Sequence, residues 1–362
     1  MTFVIQTLLA ALVLFAVINF AALHTWLERK QSALIQDRIG ANRATIFGIR
    51  ALGLFHPLAD AIKMFTKEDY IPPKGDAFLH TLAPFLSMTF ALVAFAAIPF
   101  GDILKIGDLE IPLRVAPINV GLLYIFAMMS MGVYGVALAG FSSNSNYAFL
   151  GGMRASSQML AYEITLGATI LGVVMIYGTL DLQELARRQG ELLWGWLPMW
   201  GFLVQPIGLF LFLAAGIAET KRIPYDIPEG ESEIIGYFVE YSGMKFGMFY
   251  FTDFLETILI ACLTTALFFG GWQVPFLDRA GFYFPWVEAG RVPAIFLPHL
   301  AVALLQIGSF TVKVSFFCWL FMTIRWTLPR FRYDQLMNLG WKIVFPLSLL
   351  NLLATAVVLI LV

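Results

Sequence analysis

Eight runs of mostly apolar residues, each long enough to cross a bilayer as a helix, leave few folds open to this chain. They lie near 2–23, 78–100, 118–140, 157–177, 198–218, 248–270, 294–322 and 343–362. A hydrocarbon core takes ~20 helical residues to span. Inside it no water can satisfy backbone amides, so only helices or closed barrels cross it. Runs this long are not barrel strands. The expected fold class is therefore all-α, a polytopic membrane protein with eight transmembrane helices in a single membrane domain over residues 1–362. Composition agrees: only 13% of residues are charged, about half the ~25% of soluble domains. The first run is too long for a signal-peptide core and ends in Glu28-Arg29-Lys30, so it reads as a retained span.

Orientation follows from where the cations fall. Segments 24–77, 141–156, 219–247 and 323–342 share one side and carry 16 Lys and Arg, against six in the opposite loops. Both termini are thus expected outside and the large loops in the cytoplasm, with a bacterial plasma (inner) membrane as the default location. A net charge of −1 leaves no footprint for nucleic acid. Cys262 and Cys318 lie inside apolar runs, and His24, His56, His80 and His299 are scattered. No spacing among them suits zinc or an iron–sulfur cluster. Nor is there a glycine-rich nucleotide loop, so no cofactor bound by this chain is expected. Any electrons must arrive from elsewhere.

Residues 46–67 differ from the spans. They are apolar overall, yet His56, Asp60, Lys63 and Lys67 recur at spacings of four, three and four and so share one helical face. In a span these charges would sit at mid-bilayer. An interfacial amphipathic helix lying beside the bundle is the expected structure.

Other charges fall where a membrane should exclude them. Glu163 lies in the fourth span, Asp253 and Glu256 one turn apart in the sixth, and Lys313 in the seventh. A mid-helix charge costs ~2.5–3.5 kcal/mol on insertion scales, so such groups face a partner or a polar cavity. Lys313 could simply join two helices by pairing with an acid. The acids could instead pass protons, because burial favours their neutral form. Between the fifth and sixth spans runs Glu219-Thr220-Lys221-Arg222-Ile223-Pro224-Tyr225-Asp226-Ile227-Pro228-Glu229-Gly230-Glu231-Ser232-Glu233, followed by Glu240. The acidic spacing does not fit a calcium loop. Two prolines bracketing Asp226 predict a stiff, non-helical turn.

These stretches have a familiar order. Trp26-Leu27-Glu28-Arg29-Lys30, Arg38-Ile39-Gly40-Ala41-Asn42-Arg43, Pro57-Leu58-Ala59-Asp60-Ala61-Ile62-Lys63, Ser143-Asn144-Ser145-Asn146-Tyr147-Ala148, Arg154 ahead of Tyr162-Glu163, and the loop from Glu219 to Gly243 follow one another. Together they resemble the H-subunit family of bacterial NADH:quinone oxidoreductase, the counterpart of complex I subunit 1. The resemblance runs from about residue 26 to about 256 and rests on the shared order more than on any one motif.

The resemblance implies a non-redox subunit at the heel of a proton-translocating complex, building the membrane part of a quinone tunnel. Arg29, Arg38, Asp60, Arg222 and Asp226 would line or guard that tunnel. Glu163, Glu219, Glu229, Glu231, Glu233, Glu240 and Asp253 would form a carboxylate path from the quinone cavity toward the membrane axis. Quinone is then the substrate, while NADH, flavin and iron–sulfur clusters belong to partner subunits. The implied partners are other complex I membrane subunits, the peripheral-arm subunits of the quinone site, and lipid. There are departures. Gly40-Ala41-Asn42 stands where the family has Gly-Pro-Asn, and His56-Pro57 where it has Gln-Pro. Asp253 replaces a usual glutamate, leaving a gap for water or Glu256.

Three other readings remain. The homologous membrane subunit of an energy-converting hydrogenase would share the acidic loop, but Arg29, Arg38 and Asp60 together favour the quinone version. An independent ion transporter using Glu163 and Lys313 would normally carry inverted repeats, and none is visible. A purely structural anchor would tolerate loss of Arg38 and Glu163.

Overall fold

A computed structural model describes residues 2–106, 109–193, 196–227, 236–283 and 295–361. In chain order the helices are α1 (Thr2–Ile35), α2 (His56–Thr66), α3 (Ala77–Ala94), α4 (Gly121–Ser142), α5 (Asn146–Tyr177), α6 (Leu182–Arg188), α7 (Gly201–Val204), α8 (Pro206–Glu219), α9 (Gly243–Phe268), α10 (His299–Thr327), α11 (Tyr333–Leu339) and α12 (Phe345–Leu361). Seven helical segments among the described residues are long and apolar enough to cross a membrane; α11 and α12, joined through a π-turn at Gly340–Val344, form one of them. The remaining expected span, 198–218, is the shorter apolar α8, preceded by the single turn of α7. The chain is a polytopic all-α membrane protein.

Hydropathy located the spans but not their ends. α1 runs on through Glu28, Arg29 and Lys30 to Ile35, twelve residues beyond the expected 23. α5 starts at Asn146 instead of 157, so most of the expected loop 141–156 is helix and Arg154 stands on it, over the ring of Tyr333. Amphipathic ends continue a helix past the hydrocarbon, where polar side chains cost nothing. The interfacial helix is shorter than 46–67. Only His56–Thr66 is α-helical, Pro57 fits its first turn, and Lys67 caps its end. Upstream, Gly53 has φ +87° and a Cβ there would lie 1.9 Å from the Ala41 carbonyl oxygen. Only glycine allows that backbone and that approach, and the helix cannot extend through it.

The small strands all lie between spans. β1 (Ile103–Ile106) and β2 (Leu109–Pro112) form an antiparallel hairpin pairing Ile103 with Pro112. Beside it the buried carboxylate of Asp102 accepts from Arg187 on α6 at 2.6 Å and from Arg279 at 2.8 Å. Arg114 pairs with Asp181, which also caps α6. These contacts fasten the connections on the side opposite the basic loops.

α9 is the axis of the bundle. Of its most apolar 18-residue window 94% is buried, against 17% for α1. α1, α3, α8 and α10 surround it, and Phe254, Ile258, Leu259 and Cys262 join the main core. A helix covered on every side should be apolar all round. Asp253 and Glu256 are its buried acids, and they mark the site.

Candidate functional site: buried charges around the central helix

The loop after α8 brings one cation to both acids of α9. Lys221, 4% exposed and with φ +54°, places its Nζ 3.3 Å from Asp253 Oδ1 and 3.2 Å from Glu256 Oε2. Burial alone would push the Lys221 ammonium down. The carboxylates of Glu256 and Asp253 outweigh it and hold its pKa well above the ordinary lysine value. The gap expected beside the short Asp253 side chain is thus occupied by a lysine ammonium.

The acids continue away from this cluster. Glu219, the last residue of α8, is 1% exposed and neither carboxylate oxygen has a hydrogen-bond partner among the described residues. It interacts electrostatically with Glu256, Glu163 and Lys221. Glu163 on α5 accepts a short hydrogen bond from Ser130 on α4. A small cavity of about 10 Å³ touches both Glu219 and Glu256, with Met159 and Gly132 on its walls. Glu219 and Glu256 thus share a cavity, Glu256 and Asp253 share Lys221, and Glu163 on α5 acts on Glu219 through its charge.

A second group of charges lies where α1, α9 and α10 approach the basic-loop side. Glu28, 6% exposed, accepts from Arg222 at 3.0 Å and from Arg325 by a shorter bond. The Arg222 guanidinium also lies 4.1 Å over the Phe254 ring, a cation–π contact. Asp226, 3% exposed, pairs with Arg330 at 2.8 Å. The turn holding Arg222 and Asp226 is non-helical, as its prolines predict, and its Ile223–Pro224 peptide is cis. Its fold is held by Gln158, whose Nε2 donates to the carbonyls of Ala218 and Tyr225. On the far face of α1, Arg29 donates to Asp60 of α2 at 2.5 Å.

The expected site residues are thus distributed unevenly. Arg29 meets Asp60, while Arg222 and Asp226 take partners from α1 and the segments around α10. Arg38 stands exposed after α1 and donates to Gln36. Glu240 is half-buried, one residue before Tyr241, whose ring stacks on His80 at 3.9 Å. Glu229, Glu231 and Glu233 lie outside the described residues. Lys313 pairs with no acid among the described residues. It donates to the carbonyls of Phe269, Gly271 and Gln273 at 2.6–3.0 Å and lies over Trp200, capping the end of α9. Sequence reasoning singled out Glu256 beside Asp253 as an acid that could pass protons, but missed Glu28, Lys221, Arg325 and Arg330 as site residues.

The profile of the family described as NADH dehydrogenase fits residues 8–356. The chain belongs to this family. It is 41% identical over 351 residues to H subunit 1 of the NADH-quinone oxidoreductase of Cytophaga hutchinsonii, covering 97% of this chain and 95% of that one. It is 42% identical to H subunit 2 of the Geobacter sulfurreducens oxidoreductase over 96% and 94% of the two chains. With the H subunit from Thermomicrobium roseum it shares 39% over 98% and 96%. Family membership therefore extends well beyond residues 26–256, into the spans at both ends.

Proposed function

We propose that this chain is a membrane subunit of a proton-translocating NADH:quinone oxidoreductase, forming part of the quinone tunnel and of the path that couples quinone reduction to proton movement. The observation that carries this reading is the run of acids from half-buried Glu163 to the buried Glu219, Glu256 and Asp253, ending on Lys221. No stability argument calls for Glu219 to be there. An unpaired buried carboxylate costs several kcal/mol as a charge and avoids that cost by holding a proton.

The chemistry follows from electrostatics. A partner subunit delivers electrons to quinone held where Arg29, Asp60 and the Arg222–Asp226 turn approach the membrane. Reduction changes the charge in that cavity. Each unit of pKa shift in a nearby acid corresponds to ~1.4 kcal/mol, so a few coupled carboxylates can store several kcal/mol. Arg222, tied to Glu28, and Lys221, tied to Asp253 and Glu256, are adjacent in the chain. A displacement of that short turn therefore changes the field at the quinone side and at the acid series together. In this reading Glu229, Glu231, Glu233 and Glu240 extend the path on the loop side, and the partners are the remaining membrane subunits and the peripheral arm.

The deciding experiment compares Arg38→Ala with Glu163→Gln in the assembled complex, reading quinone reductase turnover and coupled proton uptake. Arg38→Ala should reduce quinone turnover, and Glu163→Gln should reduce proton uptake per turnover while assembly stays intact. If both variants assemble and match the wild type in both readouts, the chain is a scaffold and the site assignment is wrong.

A further inference from the structure

Building on the function proposed above, we infer that Gln158 is a positioning residue for coupling. It clasps both ends of the turn after α8, so that Lys221 and Arg222 shift as one body.

The two cations leave this turn in different directions. Lys221 reaches Asp253 and Glu256 on α9. Arg222, the next residue, reaches Glu28 on α1 and lies over the Phe254 ring. A charge change beside Arg222 is felt at the acids of α9 through the turn only if the backbone between the two cations is held rigid. A single nitrogen provides the hold. Gln158 Nε2 donates one hydrogen to the Ala218 carbonyl at 2.7 Å and the other to the Tyr225 carbonyl at 2.8 Å. The two oxygens therefore lie within about 5.5 Å of each other, and the chain from 218 to 225 closes on one side chain. The clasp stands on α5, the helix that also carries Glu163.

An amide is a costly way to hold a turn. Gln158 is fully buried, and its Oε1 has no hydrogen-bond partner among the described residues. Apolar packing would avoid that cost. Stability of the turn is also served from another side. Tyr225 stacks on Phe331 at 5.5 Å, the Pro224 carbonyl accepts from the Phe331 amide at 3.0 Å, and Asp226 pairs with Arg330. All three contacts act at the exit of the turn. Its entry, where Ala218 precedes Glu219 and Lys221, is tied to that exit by Gln158.

The test is Gln158→Met in the assembled complex, a side chain of similar length without donors. Assembly, quinone turnover and the KM for quinone should stay near wild type, because Arg222 keeps Glu28 and Asp226 keeps Arg330. Proton uptake per quinone reduced should fall several-fold. Gln158→Glu, of the same shape and with at most one donor, should move the ratio in the same direction and serves where Gln158→Met fails to assemble. A wild-type ratio in whichever variant assembles overturns the inference. So does a rise in KM with loss of turnover at an unchanged ratio, which simple loosening of the fold would give. Glu163→Gln measured alongside separates the clasp from the reading beneath it. If Glu163→Gln uncouples and the Gln158 variants do not, the clasp alone is wrong; if none of them uncouples, the proton path fails with it.

Discussion

Lys221 illustrates how much one side chain can hold in a low-dielectric interior. Replacing it with methionine leaves Asp253 and Glu256 facing each other without a cation, and breaking such a buried arrangement typically costs ~3–5 kcal/mol. Lys221→Met should therefore lower the thermal midpoint of the purified complex, and adding Glu256→Gln to it should recover part of the loss. If the double variant is no more stable than the single one, the pairing contributes nothing. The pH dependence has a definite sign. The folded-state pKa of Lys221 is raised by its two acids, so its stabilisation is complete below the ordinary lysine pKa and vanishes only as pH climbs through the higher folded value. The loss measured by paired melts of wild type and Lys221→Met should be smaller at pH 6 than at pH 9, because buried acids left without the cation are relieved by taking up a proton at the lower pH. Little of this was legible beforehand. In the sequence Lys221 is one of three cations in a loop and serves to orient the spans. Its reach to residues 32 and 35 positions later depends on a left-handed backbone at residue 221, which no periodicity reveals. The partners of Arg222 and Asp226 were hidden for the same reason, since Glu28 and Arg330 are 194 and 104 residues away.

At the scale of elements, hydropathy read existence well and ends poorly. The windows found the seven long apolar segments and the shorter α8 because apolar length is a local property. They stopped α1 at 23 because charges begin at Glu28, although α1 continues to Ile35 and buries Glu28 against α10 and the 221–227 turn. They joined 46–67 into one helix because side-chain periodicity is blind to Gly53 and to Leu52 at φ +56°. Close contacts between helices were equally invisible. A Cβ at Gly135 would lie 2.8 Å from Ser87 Cβ and 2.9 Å from the Ala83 carbonyl, so α3 and α4 touch backbone to backbone there, as small residues permit in membranes. Gly135→Val should separate the two helices at a cost of about 1–3 kcal/mol. Blue-native electrophoresis after mild heating should show earlier loss of assembled complex, whereas the same change at Gly132, where a Cβ meets nothing within 4 Å, should be mild.

For the whole molecule the remaining question is direction. The charge asymmetry argues for basic loops in the cytoplasm, and the native thiols are convenient for testing it because Cys262 and Cys318 are both buried. Thr45→Cys, exposed on the basic side, should react with a membrane-impermeant maleimide in inside-out vesicles only. Glu110→Cys, exposed on the hairpin, should react in right-side-out vesicles only. The reverse pattern would invert the proposed topology and with it the side on which the peripheral arm docks.

The position of α9 at the centre, with two acids on it, also constrains how the protein is made. As it leaves the ribosome this helix carries Asp253 and Glu256 into the translocon, a penalty of roughly 5–7 kcal/mol if each is charged. The cation that pairs with both is synthesised earlier, on the turn just past α8. Biogenesis should therefore release α8 and α9 into lipid as a hairpin already joined through Lys221, and not as two independent insertions. Glycosylation mapping of chains ending after Phe268 would show it. Wild-type α9 should span, and with Lys221→Met a measurable fraction should stay on the side where it was made.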